Sequence, residues 1–254
     1  MTKLSAVIIT KNEERNIGRC IDSLKGVADD IVVVDSGSDD RTEAICNEKG
    51  VRFFVNEWEG YIEQKNYANN LALYPFILSI DADEALSEAL QKAILEVKEH
   101  KQADGYEMNR MTNYCGKWIK HSGWYPDRKL RLFDREKFAW GGEKIHEIVV
   151  AKNKANTIAK LDGDLHHYTY YTISEHISQA NHFTDLTASL AVEKGKKAGM
   201  LKILFSPLVK FLRDYFFRLG FLDGYYGYVV CRISAQATFM KYSKIRQIRR
   251  QHQK

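Results

Sequence analysis

Apolar segments alternate with helix-like segments over the first 85 residues of the chain. The apolar segments, which predict strands, are residues 6–9, 31–34, 51–55 and 76–80. Largely uninterrupted apolar runs are typical of strands that are covered on both faces of a parallel sheet. The segments between them carry apolar residues at helical spacing, and the first two of these helices are followed by Gly26 and Gly50. This order predicts a parallel sheet flanked by helices.

The pattern changes after the fourth strand. Helical spacing continues to about residue 100, and less regular strand-like pieces follow near residues 106, 129–133 and 145–150. From about residue 171 the chain is predicted to be helical to its end, with Ser174 as a candidate N-cap. We therefore expect an α/β domain over residues 1–170 and a helical region over residues 171–254.

Composition narrows the class of protein. Hydrophobic residues make up 44% of the chain, which is enough for a packed core, so disorder is not expected. The four cysteines fit no zinc or CxxC pattern, and we expect them to be reduced thiols.

No apolar stretch is long enough for a signal peptide or for the ~18 residues of a membrane span. We therefore expect a cytoplasmic protein whose membrane contact is peripheral. The net charge of +5 is compatible with an anionic substrate or lipid surface but identifies neither.

Paired acids follow the fourth predicted strand. Asp81 and Asp83 are two residues apart, and residues i and i+2 of an extended chain point in the same direction. Two adjacent carboxylates repel each other unless a cation lies between them, and hard oxygen ligands suit Mg²⁺ or Mn²⁺. The alternative is a solvated acidic turn before the next helix. The position of the pair, after a buried strand of an alternating series, favours a metal site.

Two other polar segments are candidates for nucleotide binding. Residues 35–40 form a turn rich in small and acidic residues after the second strand, in which Asp35 would accept hydrogen bonds from a ribose or a base. The alternative is a tight turn in which Asp39 or Asp40 caps a helix. Lys65 in the third helix would reach a pyrophosphate, or would be a solvated lysine. The chain contains neither GxGxxG nor GxxxxGK[ST], which argues against a dinucleotide cofactor and a P-loop.

These motifs together resemble family-2 glycosyltransferases of the GT-A fold. The segments that carry the resemblance are residues 7–14, 34–42, 64–66 and 78–84. Residues 116–127, 131–133, 146–147 and 220–224 are similar to the lipopolysaccharide core β-1,4-glucosyltransferase subgroup. The resemblance implies an inverting transfer of a hexose, for example glucose, from a UDP-sugar to a lipopolysaccharide-core or other lipid-linked glycan. It also implies a divalent cation, Mg²⁺ or Mn²⁺, and no nucleic-acid partner.

The resemblance also implies roles for individual residues. The residues implied to border the donor nucleotide are Thr10, Asn12, Glu13, Asp35, Lys65 and Asp81. Asp83 would hold the cation on the diphosphate, with Asp81 beside it. His146 would be a third metal ligand or would orient the catalytic base; a structural histidine is the alternative. The adjacent His166 and His167 would approach the diphosphate, which is a weaker expectation.

An inverting transferase needs a carboxylate base that removes a proton from the acceptor hydroxyl. The Glu-Asp pair that often serves in the family does not occur in the corresponding region. Glu147 is the first candidate, and Asp127 and Glu143 are the alternatives. Each could also be an ordinary acid at the edge of a strand. Trp118 and Trp124 are candidate platforms for an acceptor sugar, or core residues.

The helical tail combines apolar and basic residues. From Met200 to Phe221 a broad apolar stripe is interleaved with lysines and arginines, and residues 241–254 are strongly basic. This pattern is typical of a helix that lies in a membrane interface. The alternative is a helix packed on the catalytic domain, with a solvated tail. The pattern favours peripheral attachment to the cytoplasmic surface of the inner membrane.

The sequence is compatible in part with two other functions. A sugar nucleotidyltransferase has a similar sheet but usually carries a Gly-rich, basic loop after the first strand, whereas residues 10–13 contain no glycine and one acid. A membrane-docked, non-catalytic module that binds sugar nucleotides would not need Asp81 and Asp83. Both are weaker interpretations than a glycosyltransferase.

Overall fold

The computed structural model describes residues 1–143 and 146–251, and for Glu143 and His146 it describes the backbone alone. The chain divides into two compact units, which are treated separately below. The sheet unit comprises Met1–Arg110 and Asp127–Tyr168, and the helical unit comprises Met111–Pro126 and the chain from Thr169 onward. The division into domains over residues 1–170 and 171–254 stays a prediction.

The first half of the sheet unit follows the predicted alternation of strands and helices. Its elements are β1 (Leu4–Thr10), α1 (Ile17–Leu24), β2 (Asp30–Asp35), α2 (Thr42–Glu48), β3 (Arg52–Val55), α3 (Tyr61–Leu71) and β4 (Phe76–Asp81). Strand β1 pairs in parallel with both β2 and β4, and β2 pairs in parallel with β3. The predicted α/β fold with a parallel sheet is confirmed.

Later strands extend this sheet. They are β5 (Glu84–Leu86), β6 (Gly105–Tyr114), β7 (Lys117–Ile119), β8 (Asp127–Asp134) and β11 (Ile158–Tyr170), with α4 (Glu88–Glu99) after β5. The strand order is β3-β2-β1-β4-β8-β6-β11-β5, with β7 paired to β6. Strand β8 is antiparallel to β4. Strands β9 (Phe138–Glu143) and β10 (His146–Ala151) form a separate antiparallel pair.

The continuous apolar run of β1 reflects burial on both faces of the sheet. Ala6 and Ile8 belong to a core cluster that contains the apolar residues of α1 and α4. Val7 points to the opposite face and packs in a second cluster with Ala68 of α3. Complete burial of one aliphatic side chain contributes about 1.5–3 kcal/mol. The two apolar faces therefore hold the sheet between two helical layers and fix the positions of the loops at its strand ends.

The helical unit consists of three long helices and a broken segment. The helices are α5 (Ile173–Glu193), α6 (Met200–Leu212) and α7 (Gly224–Gln251). The N-cap of α5 is Thr172 rather than Ser174, because Thr172 and Glu175 form a reciprocal capping box. No helix among the described residues is both long enough and apolar enough to cross a bilayer.

The apolar stripe from Met200 to Phe221 is not one helix. Helix α6 ends at Leu212, and a π-helical turn (Arg213–Phe217) and a 3₁₀ turn (Gly220–Asp223) follow it. Leu219, between the turns, has a left-handed backbone with φ of 55°. The buried carboxylate of Asp214 pairs with Lys210, Arg213 and Arg218. These ion pairs place the cations of the turn around one acid. The spacing of apolar residues in the sequence does not predict this arrangement.

An aromatic cluster fills the other part of the helical unit. Trp124 packs edge-on against Tyr114 and His176. The ring of His176 stacks on Tyr170 at 4.5 Å, and its Nδ1 lies 3.0 Å from the hydroxyl of Tyr114. Burial lowers the pKa of His176 to about 4. The packing of Trp124 is that of a core residue, the alternative that the sequence left open.

Candidate active site

The loops after β1 and β2 are joined by hydrogen bonds. Asn12 has a left-handed backbone with φ of 55°. Its amide donates to Ser38 Oγ at 2.7 Å, and its side-chain oxygen accepts from the amide of Asp39 at 2.9 Å. Thr10 is buried at the end of β1. Asn12 and Thr10 thus lie at the carboxyl end of the parallel strands, where ligands bind in sheets of this kind.

Asp35 stabilises the loop in which it lies. Its buried carboxylate accepts hydrogen bonds from the amides of Gly37 and Ser38 at 2.8 and 2.7 Å. Gly37 has φ of 83°, a conformation that favours glycine. The amide of Gln64 in α3 donates to Ser36 Oγ at 3.0 Å, which connects this loop to the helix that carries Lys65. The predicted contact of Asp35 with a base stays a prediction.

Glu13 lies in the same region. Asn16 Nδ2 donates to its Oε2 at 2.7 Å. Burial, together with the nearby charges of Asp83 and Asp40, raises the pKa of Glu13 to about 7 against the hydrogen bond from Asn16. Glu13 is therefore close enough to Asp83 and to Asp40 to be repelled by both. A ligand that brings positive charge to this region would relieve the repulsion.

Asp81 is the terminal residue of β4 and is held by two cations. Lys65 Nζ lies 2.9 Å from its Oδ1, and an amino group of Arg131 lies 2.8 Å from its Oδ2. Burial favours the neutral acid, but Lys65 and Arg131 hold the pKa of Asp81 well below its usual range. Its negative charge is thus already compensated by side chains of the protein.

Asp83 has a different partner from Asp81. Residues 82 and 83 form a turn, so the extended geometry assumed from the sequence ends at Asp81. Asp83 Oδ2 lies 3.0 Å from His167 Nε2. The pairing of β11 with β5, which sets His167 opposite Glu84, brings this histidine there. Burial favours the neutral acid, but His167 holds the pKa of Asp83 below its ordinary value, against the repulsion of Asp81.

Lys65 connects the paired acids to the predicted base. Its Nζ is buried, lies 3.3 Å from Glu147 Oε1, and stands 4.2 Å above the ring of Trp140. Asn66 exchanges two hydrogen bonds with the backbone of Trp140, which fixes α3 against β9. Glu147, far along the chain on β10, is therefore held beside Asp81.

A second ionic network lies behind Asp81. Glu84 is buried, and its Oε1 lies 3.1 Å from Arg131 and 3.5 Å from Arg110. Arg110 also pairs with Asp127 at 2.7 Å. Burial would lower the pKa of Arg131, but Glu84 and Asp81 raise it above its ordinary value, so Arg131 stays charged. Asp127 and Glu147 are thus both in ion pairs, Asp127 with Arg110 and Glu147 with Lys65.

The structure brings together residues that the sequence treated separately. From the sequence, Arg131 was part of a motif that carries the resemblance, and Glu84 was given no separate role. Both were missed because their function depends on contacts between distant segments; the adjacency of Glu84 to Asp83 was the only local signal. The side chains of Glu143 and His146, predicted as a base and a metal ligand, lie outside the described part of the chain.

A cavity of about 430 Å³ adjoins this network. Its charged lining residues are Lys65, Asp81, Glu107, Arg110, Arg128, Lys129, Arg131 and Glu147. Trp140, Leu130, Ile148 and Val149 supply its apolar lining. Glu147 and Asp81 thus face a space that has both charged and apolar walls, as an acceptor sugar requires.

The residues present fit a divalent cation that shares its ligands with a substrate. Asp83 offers a carboxylate oxygen and His167 an imidazole nitrogen, 3.0 Å apart. Among the described residues no group of three or more His, Cys, Asp or Glu side chains could hold a metal by itself. A cation at Asp83 and His167 would therefore need further oxygen ligands, which phosphates provide.

Comparison with known proteins decides the family. The family model described as "Glycosyl transferase family 2" matches residues 5–153, which span both loops and the acids Asp81, Asp83 and Glu147. The chain belongs to glycosyltransferase family 2. Its sheet with the C-terminal helices is the predicted GT-A architecture, and membership of the family excludes the interpretation as a sugar nucleotidyltransferase.

Other glycosyltransferases are similar to this chain over nearly its whole length. An uncharacterized glycosyltransferase of Rickettsia typhi is 32% identical over 98% of this chain and 88% of its own length. The lipopolysaccharide core biosynthesis glycosyltransferase LpsC of Rhizobium meliloti is 33% identical over 96% of this chain and 92% of its own. The crystal structure of glucosyl-3-phosphoglycerate synthase of Mycobacterium tuberculosis, solved with Mn²⁺ and UDP, is similar to this chain with a TM-score of 0.38. The sequence identity is 20%, and 44% of each chain is covered. This similarity is too low to bear on the substrate.

Proposed function

We propose that this family-2 glycosyltransferase is a metal-dependent, inverting hexosyltransferase that uses a UDP-sugar. The acceptor is a lipopolysaccharide-core or other lipid-linked glycan at the cytoplasmic surface of the inner membrane. The observation that carries the proposal is the bridge by Lys65, which holds Glu147 beside Asp81, two residues before the Asp83 that pairs with His167.

The donor side is formed by the carboxyl ends of the parallel strands. Thr10, Asn12 and Asp35 border the nucleoside. The contacts described above order the protein loops that carry Asn12 and Asp35. Asp83 and His167 hold the divalent cation, and an imidazole beside a carboxylate favours Mn²⁺ over Mg²⁺. When bound, the cation neutralises charge on the departing nucleoside diphosphate.

The base is Glu147. Its neighbour Lys65 is shared with Asp81, so the carboxylate is positioned by an ion pair without being fully neutralised by it. Glu147 lines the cavity next to Asp81, where it can accept the proton of an acceptor hydroxyl as that oxygen attacks the anomeric carbon. Trp140 offers an apolar wall of the same cavity to the sugar ring.

The acceptor class is supported by the similarity to LpsC and by the character of the helical unit. LpsC is described as a lipopolysaccharide core biosynthesis glycosyltransferase, and the similarity covers both units of the chain. The helical unit exposes apolar side chains beside basic ones, as a protein that meets its acceptor at a membrane surface would. We therefore place the enzyme peripherally on the membrane that carries the acceptor.

The proposal is tested by measuring UDP release from UDP-sugars with lipopolysaccharide-core acceptors in the presence of Mn²⁺. We expect Asp83→Asn to lower the turnover by about 10³-fold, since loss of a metal ligand forfeits several kcal/mol of transition-state stabilisation. The matched control is Asp162→Asn, which removes an exposed carboxylate of the same unit and should retain activity. Turnover by Asp83→Asn within tenfold of the wild type would contradict the proposal. A protein that binds UDP-sugars but transfers none to any acceptor would be a binding module instead.

A further inference from the structure

A long groove runs between α6 and α7 in the helical unit. It consists of two adjoining cavities of about 840 and 300 Å³, which share Ile203, Leu204 and Phe239. Met200, Pro207 and Ala235 add to its apolar walls. Cavities of this size and character take small apolar ligands in other proteins.

Arginines stand at both ends of the groove. Arg246 and Arg250 line one end, and Arg232 lines the other. No acidic side chain of the described residues forms an ion pair with any of these three arginines. Residues 200–251 contain ten lysines and arginines but only two acids, Asp214 and Asp223, and both acids are buried. The groove is therefore apolar inside and positively charged at its mouth.

The surface next to the groove is apolar and faces solvent. Leu201 on α6 is 73% exposed, and Phe217 in the π-helical turn is 83% exposed. The other exposed large apolar residues of this surface are Leu204, Phe205, Leu208, Val209, Phe216 and Leu222. Exposed apolar surface of this extent marks a site of interaction, and its combination with unpaired cations fits an anionic lipid surface better than an apolar protein partner.

The dimensions of the groove match one lipid chain. Eleven residues separate Phe239 from Arg250, and a helix of that length rises about 16 Å at 1.5 Å per residue. One leaflet of the hydrocarbon core is about 15 Å deep, half of the usual 30 Å. A phosphate headgroup at Arg246 and Arg250 would thus place an acyl chain along the apolar wall as far as Phe239.

We propose that the α6–α7 groove binds one acyl chain of an anionic phospholipid, with the lipid phosphate held by Arg246 and Arg250. The site extends the membrane contact of the proposed function to a defined lipid ligand. It rests on the side chains of the helical unit alone, so lipid binding and sugar transfer can fail separately.

The test uses vesicles of phosphatidylglycerol and phosphatidylcholine in which the phosphatidylglycerol carries a photoreactive group at the end of one acyl chain. After illumination with the full-length protein, peptide mass spectrometry should find the label on α6 and on α7 between residues 235 and 247. Ser243→Trp fills the groove and should lower this labelling at least tenfold, whereas Ser243→Ala leaves the groove open and should not. UDP binding should be equal in all three proteins.

Several outcomes would overturn the inference. Labelling that is unchanged by Ser243→Trp, that lies outside residues 200–251, or that is equal when the photoreactive lipid is phosphatidylcholine would each do so. A dimer in light scattering that protects the groove from label would show that a second copy occupies it. If Ser243→Trp does not fold, as judged by circular dichroism, Gln247→Trp fills the same cavity from an exposed position and takes its place.

Discussion

The ionic network around Asp81 in the sheet unit and the α6–α7 groove in the helical unit differ in how their charges are paired. In the sheet unit, cations and acids meet inside the protein: Lys65 and Arg131 neutralise Asp81, and Arg131 and Arg110 share Glu84. In the helical unit, arginines such as Arg246 have no acidic partner among the described residues. The exposed apolar residues are also unequally divided: residues 200–228 carry 14 large ones, against nine in the whole described sheet unit. One unit therefore uses its charges to fix an active site, and the other presents them to a surface.

The difference follows from the cost of desolvation. A buried charge costs several kcal/mol unless it is paired, so the ions of the sheet unit must be arranged precisely enough to satisfy one another. Exposed cations lose little solvation and need no fixed partner, which suits contact with a surface that has no fixed geometry. The comparison predicts that removal of a buried cation from the network around Asp81 has a larger effect than removal of an exposed cation from the helical unit.

The largest effect is expected at the base. Glu147→Gln should lower kcat by about 10²–10⁴-fold, because the amide cannot accept the proton of the acceptor hydroxyl. UDP affinity should stay within about threefold of the wild type, since the donor side is intact. Steady-state kinetics and calorimetry check the two parts. Asp127→Asn and Glu143→Gln are the matched comparisons, and a larger loss in either would assign the base to that residue.

Removal of a buried cation should destabilise the sheet unit. Among the cations of the described residues, Arg131→Met leaves Glu84 the longer contact to Arg110 and leaves Asp81 the contact to Lys65. Breaking a buried ion pair costs about 3–5 kcal/mol, which urea unfolding measures. The control is Arg213→Met in the helical unit, a half-exposed arginine whose partner Asp214 keeps two other cations. It should cost no more than about 1 kcal/mol, and equal losses at the two arginines would remove the contrast between the units.

A smaller effect is expected from pH at His176. Its pKa is about 4 in the folded protein, against 6.5 in an unfolded chain. Between these values the unfolded chain binds a proton that the folded chain does not, so stability falls as the pH decreases through this window. Above pH 6.5 His176 causes no loss of folding stability, and below pH 4 the loss of stability is complete at about 3 kcal/mol. His176→Gln should flatten the pH dependence of unfolding, whereas His182→Gln, an exposed histidine of the same helix, should not. Identical pH profiles for both variants would contradict the assignment.

The sequence predicts what depends on local pattern. The strands around Ile8 and Val33 were predictable because burial on both faces requires continuous apolar runs. The position of Asp81 and Asp83 at the end of a buried strand was predictable because that strand could be recognised. The break in the helix after Leu212 was not predictable, because the spacing of apolar residues does not change there. The break is stabilised by Asp214 and by the left-handed backbone of Leu219.

Long-range ion pairs account for most of what the sequence did not predict in the site. Lys65 and Glu147 are 82 residues apart, and His167 is 84 residues from Asp83. Nothing in the local pattern around Lys65 says that it lies between two carboxylates. Such pairings depend on the order of strands in the sheet, which a single sequence does not specify.

The proposed mechanism requires that a divalent cation at Asp83 and His167 hold the diphosphate of the donor. Calorimetric titration of the full-length protein with UDP, in Mn²⁺ and again in excess EDTA, tests it most directly. We predict that EDTA weakens UDP binding by about 100-fold, equal to about 2.7 kcal/mol, and that Asp83→Asn binds UDP equally weakly in either buffer. An affinity for UDP that is the same with Mn²⁺ and with EDTA would contradict the account.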